Sequence, residues 1–277
     1  MTALGSDWSA AWRQPQHRAE FDLLGLHNER RVRRHWERYN EVNLFRAKAN
    51  SIQGNDLLDL GCATGEFYRY VRAVLSRFRY HGCDIDEQLV NRARQKYPGT
   101  HFFQSTEDLS NIRAHCPYPS VVFSRDVVPF CAEPFAHLRK LLALPLSAAV
   151  IRLRTRDQGA SELDPGRSCA FLHGKWIPYM VLNTDELVSC ITAIRPIADL
   201  YLYKNYEILG GEHRRFLPKE CYYPETGTAS TAIFIHFSES QVTPPRIVIK
   251  AQPDAAQLIP LWRRGLRRLE WLAPNRT

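Results

Sequence analysis

The sequence contains no long hydrophobic run, which excludes a membrane-spanning helix of ordinary length. Its longest apolar stretch, "LLALPLSAAVI" from Leu141 to Ile151, is interrupted by Pro145 and is too short to cross a bilayer. The first residues, "MTALGSDWSAAW", lack the basic start and the apolar segment of a secretory signal. We therefore expect a cytoplasmic protein.

Paired cysteines are also missing. The seven cysteines lie between Cys62 and Cys221 without a CxxC pair or a nearby Cys/His spacing. Neither a zinc site nor a disulfide framework is predicted, so we expect no metal and mostly buried free thiols.

The composition excludes disordered and fibrous classes, because 44% of the 277 residues are hydrophobic and 24% are charged. The net charge of +8 and the pI of about 9.2 favour an anionic partner, such as nucleic acid, a membrane surface or a phosphorylated substrate. Enzymes with small substrates are often basic too, so the charge alone does not decide between these partners.

Residues 1–52 are predicted to form an N-terminal helical cap. Apolar residues recur at helical spacing from about Gln14 to Ala49, which indicates two amphipathic helices. The segment "ERRVRRHWERYN" within them is densely basic. It is interpreted either as a solvated face with Glu–Arg pairs four residues apart or as a lid that faces an anion.

Residues 53–245 are predicted to form an α/β core. Apolar runs such as "DLLDL", "YHGCDI", "HFFQS", "SVVFS" and "SAAVIRLR" alternate with helical segments, which is typical of a parallel sheet covered by helices. Asp86 is predicted to cap one helix, Pro134 to open another, and "NTDE" at 183–186 to form a capping box. The runs "ADLYLYKNYEIL" and "STAIFIHFS" have no helix between them, so they are predicted to pair as an antiparallel hairpin.

Two segments depart from this alternation. Residues near 155–182 lose their periodicity over a long connection with glycines, prolines and aromatics, and we interpret them as a substrate loop. Residues 246–277 are predicted to form a basic amphipathic helix, because "LIPLWRRGLRRLEWLAP" places leucines on one face and arginines on another. This helix packs on the chain or a partner in one interpretation and contacts an anionic membrane in the other.

The stretch "DLGCATGEF" from Asp59 to Phe67 follows directly on an apolar strand. A glycine turn at such a place brings backbone groups close to a ligand, as in nucleotide sites. The dinucleotide fingerprint GxGxxG fails at Ala63 and Glu66, and the Walker A motif fails because no Lys-Ser/Thr follows Gly65. The remaining pattern is an acidic residue, a glycine two positions later and a second glycine four positions after that.

This pattern resembles the first motif of the class I S-adenosylmethionine-dependent methyltransferases. Asp84, about 25 residues later, resembles their ribose-binding acidic residue. The polar pair Glu107 and Asp108 resembles the region after the third strand, although Ser105 and Thr106 replace the usual small-residue–Asp pair. The segment "VVFSRDVVPF" resembles the fourth strand and the loop that follows it. The resemblance covers about Asn55 to Ser238. It implies a Rossmann-like, doubly wound, seven-stranded sheet that is mostly parallel with a terminal antiparallel hairpin.

The resemblance also implies S-adenosylmethionine as the cofactor. The backbone of Gly61, Cys62 and Ala63 would contact its amino-acid tail, Asp59 would fix the turn, and Asp84 would accept from both ribose hydroxyls. The cofactor-binding residues implied are Asp59, Gly61, Cys62, Ala63, Gly65, Asp84, Ile85, Thr106, Glu107, Ser124 and Arg125.

Methyl transfer depends chiefly on holding the acceptor near the methyl group, and a base is needed only when the acceptor must lose a proton. Candidates for a catalytic base are Asp126 at the end of the fourth strand, His173 in "FLHGKWIPY" and His213 in "GGEHRRF". The residue types suited to an acceptor pocket are aromatic and basic, and those predicted are Trp176, Tyr179, Tyr222, Tyr223, Arg214 and Arg215.

The sequence thus predicts methyl transfer from S-adenosylmethionine to an oxygen or nitrogen of a small molecule, with a glycan or natural-product intermediate favoured. An RNA or DNA methyltransferase is one alternative. The loop "DVVPF" matches the Asp/Asn-Pro-Pro-Tyr/Phe loop of base methyltransferases poorly, so nucleic acid is the less favoured partner. A non-catalytic cofactor-binding or membrane-associated scaffold is the other alternative, and the oligomeric state is left open.

Overall fold

The computed structural model describes residues 28–172, 174–209, 215–223, 225–240 and 244–254. Several predicted features therefore lie outside the described residues: the first part of the helical cap, His173, His213 and the amphipathic helix of residues 258–274.

The helices of the described residues are α1 Glu29–Trp36, α2 Asn40–Lys48, α3 Glu66–Val74, α4 Glu87–Lys96, α5 Ile112–His115, α6 Pro134–Leu142 and α7 Thr184–Ile194. The strands are β1 Asp56–Leu60, β2 Arg79–Asp84, β3 His101–Gln104, β4 Val121–Arg125, β5 Ala148–Arg156, β6 Cys169–Leu172, β7 Lys175–Pro178, β8 Leu182–Asn183, β9 Ile197–Tyr206, β10 Arg215–Phe216, β11 Ala229–Phe237 and β12 Arg246–Ala251. No helix in these ranges is both long and apolar enough to cross a membrane.

The main sheet has the order β3-β2-β1-β4-β5-β11-β9-β12. Strands β1 to β5 are parallel, and β11 runs antiparallel to both β5 and β9, which confirms the predicted terminal hairpin. The chain moves outward from β1 to β3 on one side and from β4 to β5 on the other. The carboxyl ends of β1 and β4 therefore border a crevice, which is where open α/β sheets bind ligands.

Within the described ranges the main sheet has nine strands, where the sequence predicted seven. Two-residue β8 pairs with β5, and β12 pairs in parallel with the edge strand β9. Residues 246–251, which the sequence analysis placed in the C-terminal helix, thus form a strand. Their sequence "RIVIKA" contains three β-branched residues, which favour an extended backbone.

The predicted substrate loop at 155–182 contains regular structure. Strands β6 and β7 form an antiparallel hairpin, and β10 pairs with β6 to complete a separate three-stranded sheet. Ile177, Leu209, Leu217 and Cys221 pack beneath this small sheet in a cluster of their own. The periodicity was hard to recognise because each strand is only two to four residues long.

The local signals for helix starts are confirmed. Asp86 caps α4 by accepting from a first-turn N–H at 2.9 Å, and α6 begins at Pro134. The Asn183 side chain caps α7 at 2.9 and 3.0 Å. The second half of the predicted box is made differently, because the Ser161 hydroxyl, rather than Glu186, accepts from the Asn183 N–H at 2.8 Å.

Alternating strand residues divide the core into two layers. Leu58 and Leu60 face one layer, with Leu138 of α6 and Leu187 of α7. Leu57 faces the other layer, where the buried partners Phe45 of α2, Phe67 of α3 and Val90 of α4 pack together. The burial of each such side chain contributes about 1.5–3 kcal/mol to the free energy of folding. The two layers therefore hold in place the strand ends that form the crevice.

Candidate functional site

The crevice contains a cavity of about 520 Å³. The turn after β1, the ends of β2 and β3, the loop after β4, the start of α3 and the end of α1 contribute its lining. The cavity therefore lies where the sequence analysis placed the glycine turn, and α1 closes it from the side of the helical cap.

The glycine turn has a backbone that requires its glycines. Gly61 and Gly65 have φ of +80° and +77°, and Ala63 between them has φ of +48°. A Cβ at Gly61 would lie 2.5 Å from Cγ2 of Val127, and one at Gly65 would lie 2.8 Å from the Phe102 ring. The turn can therefore pack this closely against β3 and the β4 loop only without those side chains.

The N–H groups of this turn are used within the protein. Those of Gly61 and Cys62 donate to the Cys83 carbonyl at 2.8 and 2.9 Å, and that of Ala63 donates to Asp84 Oδ2 at 2.9 Å. The expected contacts of this backbone with the cofactor tail thus cannot come from these three donors. They hold the turn against β2 instead.

Two carboxylates, the buried Asp59 and the half-buried Asp84, face the cavity from adjacent strand ends. Asp59 accepts from the Tyr80 hydroxyl, and Asp84 Oδ1 accepts from the Asp86 N–H at 3.0 Å. Burial raises the pKa of Asp59 to about 7, with a further increase from the nearby Asp84 charge. Burial also raises the pKa of Asp84 to about 6. A cation in the cavity would stabilise the ionised form of both groups.

The other residues implied for the cofactor divide into two groups. Ile85, Thr106, Glu107 and Arg125 line the cavity with Asp59, Gly61, Cys62, Ala63 and Asp84. Gly65 and Ser124 are not part of the lining. Gly65 instead precedes α3 as its N-cap residue, and Ser124 is buried in β4.

Asp126 lines the cavity within a cluster of arginines. Its φ of +57° turns the chain after β4. Its carboxylate lies 3.3 Å from a guanidinium nitrogen of Arg154, 3.7 Å from one of Arg152 and 3.8 Å from Nε of Arg125. Arg125 also donates to Glu41 of α2 at 2.8 Å. Asp126 therefore balances positive charge where β4, β5 and the helical cap meet.

Two cavity histidines were not identified from the sequence. His35 is the second-last residue of α1, and His137 lies in the first turn of α6. Burial lowers the pKa of both to about 4, with nearby cationic side chains adding to the effect, so both are neutral at pH 7. His35 Nδ1 accepts from Arg38, whereas His137 Nε2 has no hydrogen-bond partner among the described residues. The helix that follows the β4 loop begins at the edge of the sheet where ligands bind. The position of His137 in the first turn of this helix could therefore have identified it from the sequence.

Of the aromatic residues predicted for an acceptor pocket, Tyr179 lies next to the cavity lining. Tyr179 packs against the lining residue Phe130 at 5.4 Å between ring centroids and accepts from Arg154 at 2.8 Å. Trp176 and Tyr223 are partly exposed. Trp176, Tyr179, Tyr222 and Tyr223 do not belong to the lining, Arg214 lies outside the described residues, and the Arg215 side chain is not described.

The strand order and the crevice at its switch point define a Rossmann-like fold. The model of a family described as a methyltransferase domain matches residues 58–145, which include the glycine turn, both carboxylates and α6. The fold and this match agree with the resemblance in the sequence. Residues 58–145 therefore form a methyltransferase domain, as the resemblance to the class I S-adenosylmethionine-dependent methyltransferases implies.

Solved structures are similar to this chain at low sequence identity. The N-terminal domain of EvdMO1 with SAH bound is similar with a TM-score of 0.50 and 12% identity, and the match covers 72% of this chain and 82% of that one. The magnesium protoporphyrin IX methyltransferase ChlM from Synechocystis PCC 6803 with bound SAH has a TM-score of 0.49 and 11% identity, with 84% and 100% covered. None of the curated proteins matches the sequence.

The residues present fit S-adenosylmethionine. The volume lies within the usual range of ligand pockets, about 300–1,000 Å³. The cofactor carries a sulfonium and an ammonium group, and the carboxylates of Asp59 and Asp84 can balance positive charge. Thr64 Oγ1, buried in the lining without a partner among the described residues, offers a further polar contact.

Proposed function

We propose that this methyltransferase transfers the methyl group to an oxygen or nitrogen of a small molecule, with a glycan or natural-product intermediate as the favoured substrate class. The supporting observation is that the strand ends and the helical cap share one cavity of about 520 Å³. His35, Trp36 and Tyr39 close it opposite the glycine turn. A crevice closed in this way suits a metabolite-sized acceptor better than a polymer.

The cofactor supplies an electrophilic methyl group when it is bound. We assign Asp59 and Asp84 to its positive charge and ribose, and the glycine turn to its tail through groups other than the three engaged N–H donors. Ile85 and Leu109 offer apolar surface for the adenine, and Thr106 and Glu107 offer polar groups at the end of β3. These side chains hold one reactant, and the helical cap excludes water from it.

Two lining groups are proposed to act on the acceptor. His137 is neutral, and its Nε2 has no hydrogen-bond partner within the described part of the chain, so we assign it the removal of a proton where the acceptor atom carries one. Asp126 is engaged by arginines, so we assign it to positioning the β4 loop. His173 and His213 remain candidates outside the described residues.

The test is methyl transfer from tritium-labelled S-adenosylmethionine into an extract that has been separated into low-mass, protein and nucleic-acid fractions. The proposal predicts label in the low-mass fraction, and an Asp84→Ala variant should give none. Label in a nuclease-sensitive fraction would contradict it. That result would favour the alternative supported by Arg30, Arg31 and Arg34, which are exposed on α1.

Salt dependence separates these alternatives as well. Binding to nucleic acid through several phosphate contacts should weaken steeply between about 50 and 200 mM salt, whereas binding of a neutral metabolite should change little.

A cytoplasmic location and membrane contact through residues 255–277 also remain proposals. Loss of liposome binding on deletion of those residues would support the membrane contact.

A further inference from the structure

Two N–H donors in the cavity lining have no hydrogen-bond acceptor among the described residues. They are Nε1 of Trp36 and Nε of Arg38, and both atoms are shielded from solvent. Trp36 is the last residue of α1, and Arg38 follows two positions later. Both groups can only donate, so a ligand group next to either of them must accept hydrogen bonds.

Arg38 also lacks a counter-charge in the described part of the chain. Its neighbours Arg33 and Arg46 form ion pairs with Glu29 and Glu37, but no described carboxylate lies within ion-pair distance of Arg38. Its contacts are a hydrogen bond to His35 Nδ1 at 3.0 Å and a stack on Tyr39, with 4.9 Å to the ring centroid. These contacts orient the guanidinium without neutralising it.

The surroundings of Arg38 retain positive charge. His35 is neutral at pH 7, because burial and then Arg38 and Arg125 lower its pKa to about 4. Arg125 is balanced by Glu41 at 2.8 Å. An anion next to Arg38 would therefore meet one uncompensated guanidinium, and it would raise the pKa of His35.

On the opposite side of the cavity, three backbone N–H groups of the glycine turn are already engaged within the protein, and the Thr64 hydroxyl is the donor that remains. The N–H groups of Gly61, Cys62 and Ala63 are all directed to β2. The cofactor tail ends in an ammonium and a carboxylate, and the carboxylate needs donors that are not already engaged.

We propose that Trp36 and Arg38 bind the carboxylate of the cofactor's amino-acid tail, with Trp36 Nε1 and Arg38 Nε as the donors. The inference rests on the proposed placement of the cofactor in this cavity. A carboxylate on the acceptor would have the same chemistry, so the experiment must distinguish the two sources.

The test compares S-adenosylmethionine with decarboxylated S-adenosylmethionine, which keeps the sulfonium and the amine. Calorimetric titration of wild type should give tighter binding of the intact cofactor. Arg38→Gln should weaken that binding by about 10- to 100-fold and leave the decarboxylated compound unaffected. The centroids of the Trp36 and Phe67 rings lie 4.9 Å apart, and Trp36→Phe keeps an aromatic ring at this position. This variant should lose a smaller part of the preference for the intact cofactor over the decarboxylated compound. Arg34→Gln, at an exposed position of α1, is the matched control.

Each other outcome overturns the proposal. Equal weakening of both compounds by Arg38→Gln would mean a structural role, and unchanged binding of both would mean no role. Retained cofactor affinity with loss of benzoate binding to the SAH-loaded protein would assign Arg38 to an acceptor carboxylate. If folded wild type bound neither compound, the proposed function itself would fail.

A second readout does not depend on affinity. In NMR titrations, the pKa of His35 should rise when S-adenosylmethionine binds and should rise less with the decarboxylated compound. An equal response to both would contradict placement of the carboxylate beside Arg38.

Discussion

The backbone N–H of Ala63 donates to Asp84 Oδ2 at 2.9 Å, which ties the glycine turn after β1 to the carboxylate that ends β2. Ala63 has a φ of +48°, which is unusual for a residue with a side chain. The same carboxylate also faces the cavity. One side chain therefore shapes the turn and borders the ligand site.

Cofactor affinity should rise with pH. The pKa values of Asp59 and Asp84 are raised to about 7 and 6, so both hold protons in weakly acidic solution. A cationic ligand favours their ionised forms, and its binding must therefore release protons. We expect the affinity for S-adenosylmethionine to increase from about pH 5.5 to about pH 8 and then to level off.

Calorimetry in two buffers with different ionisation enthalpies measures this proton release. Asp59→Asn should reduce both the release and the dependence on pH. Affinity that is independent of pH over this range in wild type would show that the two carboxylates do not balance the cofactor charge.

Tyr80→Phe should destabilise the protein more at high pH than at low pH. The Tyr80 hydroxyl donates to the buried Asp59, whose folded pKa is raised. Such a group favours folding most below its unfolded pKa, and this contribution is lost as the pH rises through about 7. Above that value, the charged carboxylate needs the Tyr80 donor.

We expect a loss of about 1–3 kcal/mol at pH 8 and a smaller loss at pH 5 for Tyr80→Phe, measured by urea unfolding. Tyr118→Phe is the control, because Tyr118 is exposed. Equal losses at both pH values would mean that the hydroxyl does not act through Asp59.

Gly61→Ala should abolish cofactor binding. Its Cβ would lie 2.5 Å from Val127 in a residue with φ of +80°, so the turn or the β4 loop must move. Gly99→Ala is a matched control, because Gly99 has φ of +85° and nothing within 4 Å of an added Cβ. Both should lose about 1–2 kcal/mol of stability from backbone strain, but only Gly61→Ala should lose SAH binding in calorimetry. Unimpaired binding by Gly61→Ala would exclude the turn from the site.

His137→Gln should slow methyl transfer by about 100-fold or more without a comparable loss of cofactor affinity, if His137 removes a proton. Its pKa of about 4, lowered mainly by burial, predicts a rate that is constant above about pH 5 and falls below it. Asp126→Asn should instead lower the stability of the β4 loop. Initial rates of label transfer give the comparison, and a normal rate for His137→Gln would rule out this assignment.

The sequence predicted the central part of the fold well, because each signal there was local. The run "DLLDL" became β1 with the predicted bounds, and the caps at Asp86 and Asn183 begin the helices that they were expected to begin. The strand "RIVIKA" and the small sheet were missed. Their pairing depends on partners that are distant in the chain, such as β9 for β12, and short strands carry little periodicity.

The predicted site residues likewise divide into those with a local sequence signal and those that depend on distant parts of the chain. Asp59, Gly61 and Asp84 were identified because strand ends and glycines have a fixed spacing. Arg38 and His137 could not be identified in this way. The roles proposed for them rest on burial and on atoms that lack a hydrogen-bond partner among the described residues, and only the packed structure reveals both.

The measurement that tests the central claim most directly is calorimetric titration of the folded protein with S-adenosylmethionine and SAH, in wild type and in Asp84→Ala. The account predicts saturable, micromolar-range binding to wild type that the variant loses. Absence of binding to either ligand by folded wild type, or unchanged binding by Asp84→Ala, would contradict it.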